Sequence, residues 1–233
     1  MIREPSPKQP IFNLPGVIRV LAAVTILIHF RQLVLTPFEN NELLRYFAFI
    51  AKRFQIPDVW QFEGFSLAMS PITYAFIHAD GYHLLMNVFF LLAFGTAVAR
   101  RMSWLYFMLL YVTGAILSAF FWMAFNSDSV IPLVGASGAL SAAAGALVRI
   151  SLAPKLPHDM HYPIMPPKTA FMFAAFWLGM NLLFSIFAAE GTFGLSNIAW
   201  EAHIGGFIFG FLVGHFFDGR GLPAPIAPPP STL

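Results

Sequence analysis

Cysteine is absent from this 233-residue chain, which excludes disulfides and thiolate metal sites and leaves the redox compartment unreadable. Charge is scarce as well. Asp, Glu, Lys and Arg make up 10% of the residues, where a soluble domain carries about a quarter. The basic residues are scattered, the formal net charge is +2, and no basic stripe marks a nucleic-acid partner. There is no H-E-x-x-H for a zinc site and no pair of aspartates on adjacent apolar segments. No metal or organic cofactor is expected. The first fifteen residues are polar and proline-bearing, without the pattern of a signal peptide or of an Arg- and Ser-rich presequence.

What fills the chain instead is apolar surface. Hydrophobic residues reach 58%, with 27 Phe, and the mean hydropathy is +0.71. One soluble core cannot hide that surplus, so lipid is the expected solvent. A spanning helix needs about 20 mostly apolar residues, and six segments qualify: about 16–36, 82–99, 104–126, 133–150, 169–188 and 198–217. The first is interrupted by Arg19, His29 and Arg31. The expected fold is an all-α, six-span membrane domain over 16–217. A cytoplasmic segment, 1–15, precedes it, and a Pro-rich cytoplasmic tail, 218–233, follows. No internal repeat or second domain is visible.

Lys and Arg in short loops set orientation. Arg100, Arg101, Lys155, Lys168 and Arg220 fall on one side, whereas the loops holding Asp128 and Glu190 have no basic residue. Both termini are therefore expected in the cytoplasm. The first loop, about 37–81, carries Arg45, Lys52 and Arg53 but is long enough to weigh less in this rule. Within it, Leu43 to Phe54 reads as a short amphipathic helix. Phe65 to Ile77, broken by Pro71, reads as an interfacial or re-entrant element.

Polar side chains inside a membrane are costly and call for a reason. The segments beginning at 82, 133 and 198 all enter from the same face. Ser137 then lies ~6 Å deep and His203 ~7.5 Å deep at 1.5 Å per residue. His83 sits at the mouth of its span and Asn87 one turn further in. A serine hydroxyl needs a neighbouring base to become a nucleophile, and histidine can serve near neutral pH. The tetrahedral intermediate of acyl transfer needs donors. His83 and Asn87, at i and i+4 on one helix face, are candidates, as is the Ser137 N–H near a helix N-terminus. Gly206, Gly210 and Gly214 form a small-residue stripe, matched by Gly138, Ala142 and Ala146. Such stripes let helices approach closely in lipid, as a Ser137–His203 hydrogen bond requires. Glu201 points away from His203 and Asp218 lies near the other end of the span, so the pair reads as a dyad. Asn181 is expected to bond a neighbouring helix or backbone. His78, His29 and His215 read as structural, and the lone pair His158 and His161 is weak as a metal site.

The residues resemble the rhomboid intramembrane serine proteases. Gly135-Ala136-Ser137-Gly138 is similar to that family's nucleophile motif. Ala202-His203-Ile204-Gly205-Gly206, continuing to Gly210, is similar to its histidine motif. His83-Leu84-Leu85-Met86-Asn87, preceded by Phe76-Ile77-His78 and followed by Phe94-Gly95, resembles its second-span signature. The likeness runs from about 65 to 217 and fits the six-span bacterial form. It implies cleavage of single-span or polytopic membrane proteins near the outer face of the inner (plasma) membrane. Ser137 would be nucleophile, His203 base, and His83, Asn87 and the Ser137 N–H the oxyanion site. It also implies substrate entry beside span five and a capping loop before span six. Two positions depart from the family pattern. Met69 and Ser70 stand where many members have Trp-Arg, and Ser141 stands where some have an aromatic stacked on the histidine. His203 must then be oriented by other packing. The rival readings are a catalytically silent rhomboid-like protein that binds membrane clients, and a small transporter, which would favour charged or broken helices at mid-membrane.

Overall fold

The structure, a computed structural model, describes residues 14–153, 165–189 and 199–220. His158 and His161, Lys155, Glu190, the capping loop before span six, most of the N-terminal segment and the Pro-rich tail lie outside the described residues. Those described fold as helices: α1 Gly16–Gln32, α2 Pro37–Phe47, α3 Pro57–Thr73, α4 Gly81–Phe90, α5 Thr96–Ala99, α6 Trp104–Phe125, α7 Ser137–Leu152, α8 Pro167–Ala189 and α9 Trp200–Phe217. A π turn, Leu91–Gly95, joins α4 to α5, so Gly81–Ala99 runs as one helix. That helix and α6 are each long and apolar enough to cross a membrane, and α7 is apolar but shorter.

The packing inverts that of a soluble protein. Bulky apolar side chains face outward: Phe171 is 71% exposed, and Leu212 and Phe216 are each 61% exposed. The interior around α7 is built from small residues, with Ala139, Ser141, Ala142 and Ala144 fully buried. Small residues let α7 sit at the centre, against α6 and α9. At Gly114 of α6, an added Cβ would stand 2.5 Å from Ala142 Cβ. At Gly210 of α9 it would collide with the Ala142 carbonyl.

The first loop departs from the expectation in both its pieces. The helix read at Leu43 to Phe54 instead starts at Pro37 and stops at Phe47. Thr36 opens it with a capping box: its hydroxyl accepts from Glu39 N–H, and the Glu39 carboxylate accepts from Thr36 N–H at 2.8 Å. That pattern satisfies orphan helix-end donors. The capping hydrogen bonds from Thr36 hold the Glu39 carboxyl below its ordinary range. The chain then turns extended at Ala48, pairs Phe49 with Leu133 across an antiparallel bridge, and makes a 3-10 turn at Ala51–Gln55.

Pro71 does not break its segment either. α3 runs through it, and the irregular residue is Glu63 (φ −131°, ψ 22°). Proline removes the hydrogen bond to the carbonyl four residues back. Here that carbonyl, Leu67 O, accepts from Ser70 Oγ at 2.8 Å. Glu63 bends out of line where its carboxylate accepts from both Arg45 and the buried Arg53.

At the far end of the bundle the Arg101 guanidinium makes a two-pronged contact with the Asp218 carboxylate, 2.8 and 2.6 Å. Both side chains are buried. Gly219 N–H also donates to Arg101 O at 2.7 Å. The end of α9 is thus pinned to the turn between α5 and α6. Read from sequence, Arg101 is only an orientation signal and Asp218 a residue near a span end.

Candidate active site

Ser137 is the first residue of α7, not one four residues inside a span that starts at 133. The depth of ~6 Å expected from helical rise therefore does not apply. Residues 130–136 are held outside the helix by the first loop. Leu133 pairs with Phe49, Gly135 N–H donates to Tyr74 O at 3.0 Å, and Gly135 has φ +107°, a conformation that side chains with a Cβ rarely adopt. The turn delivers Ser137 to the helix end. The first bond back into the turn runs from Leu140 N–H to Ala136 O, 3.0 Å. The N–H groups of residues 137–139 accordingly project from the positive end of α7.

His203 sits in the first turn of α9. Its Nε2 lies 2.7 Å from Ser137 Oγ. The approach rests on contact between the two backbones: a Cβ on Gly206 would strike the Gly138 carbonyl, and one on Gly138 would come within 2.6 Å of Ser118 Cβ and 2.9 Å of Tyr74 Oη. Tyr74 is fixed in turn, donating to Ala115 O at 2.9 Å. Burial pushes its phenol above its ordinary range, with Tyr111 adding to the shift.

His83 and Asn87 approach the same place from α4. Asp80 caps that helix, its carboxylate accepting from His83 N–H at 2.8 Å. A Cβ on Gly135 would stand 2.6 Å from His83 Nε2 and 3.7 Å from Asn87 Nδ2. Glycine at 135 therefore also gives the imidazole its room. Asn87 is buried and gives one Nδ2 hydrogen to His83 O, 2.9 Å, which leaves the second on the Gly135 side. The four residues singled out from sequence thus converge beside the N-terminus of α7.

Sequence reasoning stopped at two members, and the structure adds a third contact. Asn181 of α8 sets its Oδ1 2.7 Å from His203 Nδ1 while its Nδ2 donates to Trp177 O at 2.7 Å. Asn181 is 2% exposed. The overlooked signal is position: an amide in the later half of an apolar span, at the bundle end to which Ser137 and His203 belong. Glu201 looks elsewhere, accepting from Asn126 Nδ2 at 3.1 Å.

His78, just outside α4, is buried, with neither ring nitrogen hydrogen-bonded among the described residues. Its ring centroid lies 5.0 Å from that of His83. Desolvation, with His83 and His29 as further causes, pushes its imidazole down to about 3.

Comparison with known proteins agrees with these observations. A stretch of 151 residues is 32% identical to "RHOMBOID-like protein 12, mitochondrial" of Arabidopsis thaliana, covering 58% of this chain and 42% of that protein. The chain thus spans less than half of that relative's length. Residues 67–219 match the Rhomboid domain family, a stretch that holds α4 to α9 and every residue of the cluster. The chain belongs to the rhomboid family of membrane proteins.

Proposed function

We propose that this protein is an intramembrane serine endopeptidase whose nucleophile is Ser137 and whose base is His203. The observation that carries the reading is the 2.7 Å contact between Ser137 Oγ and His203 Nε2, made by two helices in backbone contact. A serine at a helix crossing, or a histidine bonding a neighbouring helix, needs no such pairing. A silent client-binding relative would have no use for it.

In this mechanism Ser137 Oγ attacks a substrate carbonyl as its proton passes to His203 Nε2. The oxyanion accepts from the Ser137 N–H, His83 Nε2–H and Asn87 Nδ2–H. His203 then gives its proton to the leaving amine. Water, deprotonated by the same imidazole, cleaves the acyl-enzyme. The substrates are single-span or polytopic membrane proteins. Their helices must unwind locally, because a helical amide is hydrogen-bonded and shielded in lipid. α1, Gly81–Ala99, α6, α7, α8 and α9 serve as six spans in the inner (plasma) membrane. The basic residues at 100, 101, 155, 168 and 220 hold both termini in the cytoplasm, and Ser137 and His203 lie toward the outer face. The first loop's Lys52 bonds Asp128 at 2.5 Å, so its charge is offset on that side.

The test is cleavage of a tagged single-span substrate in liposomes by the wild type, Ser137→Ala and His203→Ala. Cleavage lost in both variants, with folding retained, is the expected result. Cleavage unchanged in Ser137→Ala would refute the assignment. Where no substrate is cut by the wild type, fluorophosphonate labelling that depends on Ser137 separates an active enzyme from a silent one.

A further inference from the structure

The amide of Asn181 has only one orientation that satisfies both of its contacts. Trp177 O is a carbonyl and can only accept, so the group facing it at 2.7 Å is the NH2. The group facing His203 is then Oδ1, which can only accept as well. His203 Nδ1 must therefore carry a hydrogen and donate. In the neutral imidazole this leaves Nε2 bare, 2.7 Å from Ser137 Oγ, so the hydroxyl donates to it. A backbone carbonyl in the preceding turn of α8 thus dictates, through one amide, which ring nitrogen can take the serine proton. The ring's direction is fixed by the same contact.

The helix that supplies this amide docks along a narrow stripe. Among the described side chains, Ala170, Trp177 and Asn181 are its buried ones, spaced at helical intervals. Trp177 packs edge-on against Phe90 and Phe94, with ring centroids 5.3 Å apart in both cases, and lies nearly parallel to Phe173. Phe176 and Leu182 are among its exposed residues. Asn181 therefore reaches His203 only while α8 is seated on the aromatic residues near the α4 end and the π turn.

We propose that Asn181 is a positioning residue for His203: it holds the Nδ1–H tautomer and makes base competence conditional on the docking of α8. The proposal rests on the protease reading for its kinetic consequence. Its structural half, the tautomer, stands apart from it.

Two variants and two readouts test it. Asn181→Leu has similar size and no acceptor, whereas Asn181→Asp keeps an oxygen facing Nδ1. In liposomes Asn181→Leu should lower kcat about a hundredfold, within the range that a mispositioned acid–base group costs. KM should stay within about twofold, because the amide is buried and bonded to His203 and Trp177 O. Fluorophosphonate labelling of Ser137 should slow in parallel, and Asn181→Asp should recover most of both. The second readout is the 15N spectrum of the His203 imidazole in detergent, assigned by difference against His203→Gln. Wild type and Asn181→Asp should show Nδ1 protonated, and Asn181→Leu a mixture of tautomers. An unchanged kcat and an unchanged imidazole spectrum in Asn181→Leu would overturn the proposal. Equal kinetic losses in both variants with an unchanged spectrum would also overturn it, marking Asn181 as a packing residue. Should Ser137→Ala cleave as well as wild type, the protease reading fails and the imidazole spectrum still decides the tautomer.

Discussion

Against α7, helix α9 lays a row of glycines. Gly206, Gly210 and Gly214 meet the backbone of α7 so closely that no Cβ fits between, and Gly145 returns the contact against Phe207. Among the described residues α8 makes no such seam. At Gly179 an added Cβ would meet nothing within 4 Å among the described residues beyond its own helix, and α8 is held instead by rings and an amide. Between lipid-solvated helices no hydrophobic force drives association, so close packing and interhelical hydrogen bonds do the holding. The molecule divides accordingly. A welded pair carries Ser137 and His203, and a lightly seated helix carries the group that orients the histidine.

The largest loss is expected where the end of α9 is pinned to the turn between α5 and α6. Asp218→Ala leaves the buried Arg101 guanidinium without its carboxylate, and removing one partner of such a pair costs about 3–5 kcal/mol. The double change Arg101→Met with Asp218→Leu should be far milder, since apolar replacements of buried pairs are often neutral. Denaturant unfolding in detergent measures both. Next comes Gly210→Val, which forces a branched side chain onto the Ala142 carbonyl. It should cost about 3 kcal/mol and abolish the 2.7 Å contact with it. Gly179→Ala on the other side should be harmless, and stabilising by up to about 1 kcal/mol, because alanine is the better helix former and nothing stands in its way. A destabilised Gly179→Ala would mean that α8 is as tightly fitted as α9.

A pH-dependent effect belongs to neither helix. Because buried His78 has its pKa depressed to about 3, an unfolded chain binds more protons than the folded one between that value and the ordinary histidine value near 6.5. Stability should be flat above about pH 6.5 and decline as pH falls below it. His78→Gln should flatten that decline, read as unfolding midpoints across pH.

How far the sequence reveals this arrangement depends on which rule each part obeys. The apolar segments lie close to the observed helices because hydrophobic length is a one-dimensional property. The convergence of Ser137, His203, His83 and Asn87 is legible for a related reason: three helices entering from one face share a depth scale. Ser137 nonetheless sits at a helix end because the Phe49–Leu133 bridge and Gly135 pull residues 130–136 out of helix, a tertiary effect without periodicity. The first-loop helix begins at Pro37 and not at Leu43, and Thr36-Pro37-Phe38-Glu39 is a start signal with a stated mechanism. Pro71 reads as a breaker because the rescue by Ser70 depends on a hydroxyl rotamer. Asn181 was visible as a costly amide, yet its partner lies on another helix and no spacing connects the two.

The π turn at Leu91–Gly95 gives the helix that carries His83 and Asn87 a residue of slack. A wide turn accommodates one residue more than an α-helical path of the same length would hold. In an ordinary helix, loss of one residue swings everything beyond it by about 100°. Loss within 91–95 can instead be absorbed by tightening the turn, with His83 and Asn87 on one flank and buried Thr96 and Val98 on the other keeping their directions. Chain length is thus negotiable at this one point of the helix, and the cluster beside Ser137 is insulated from it.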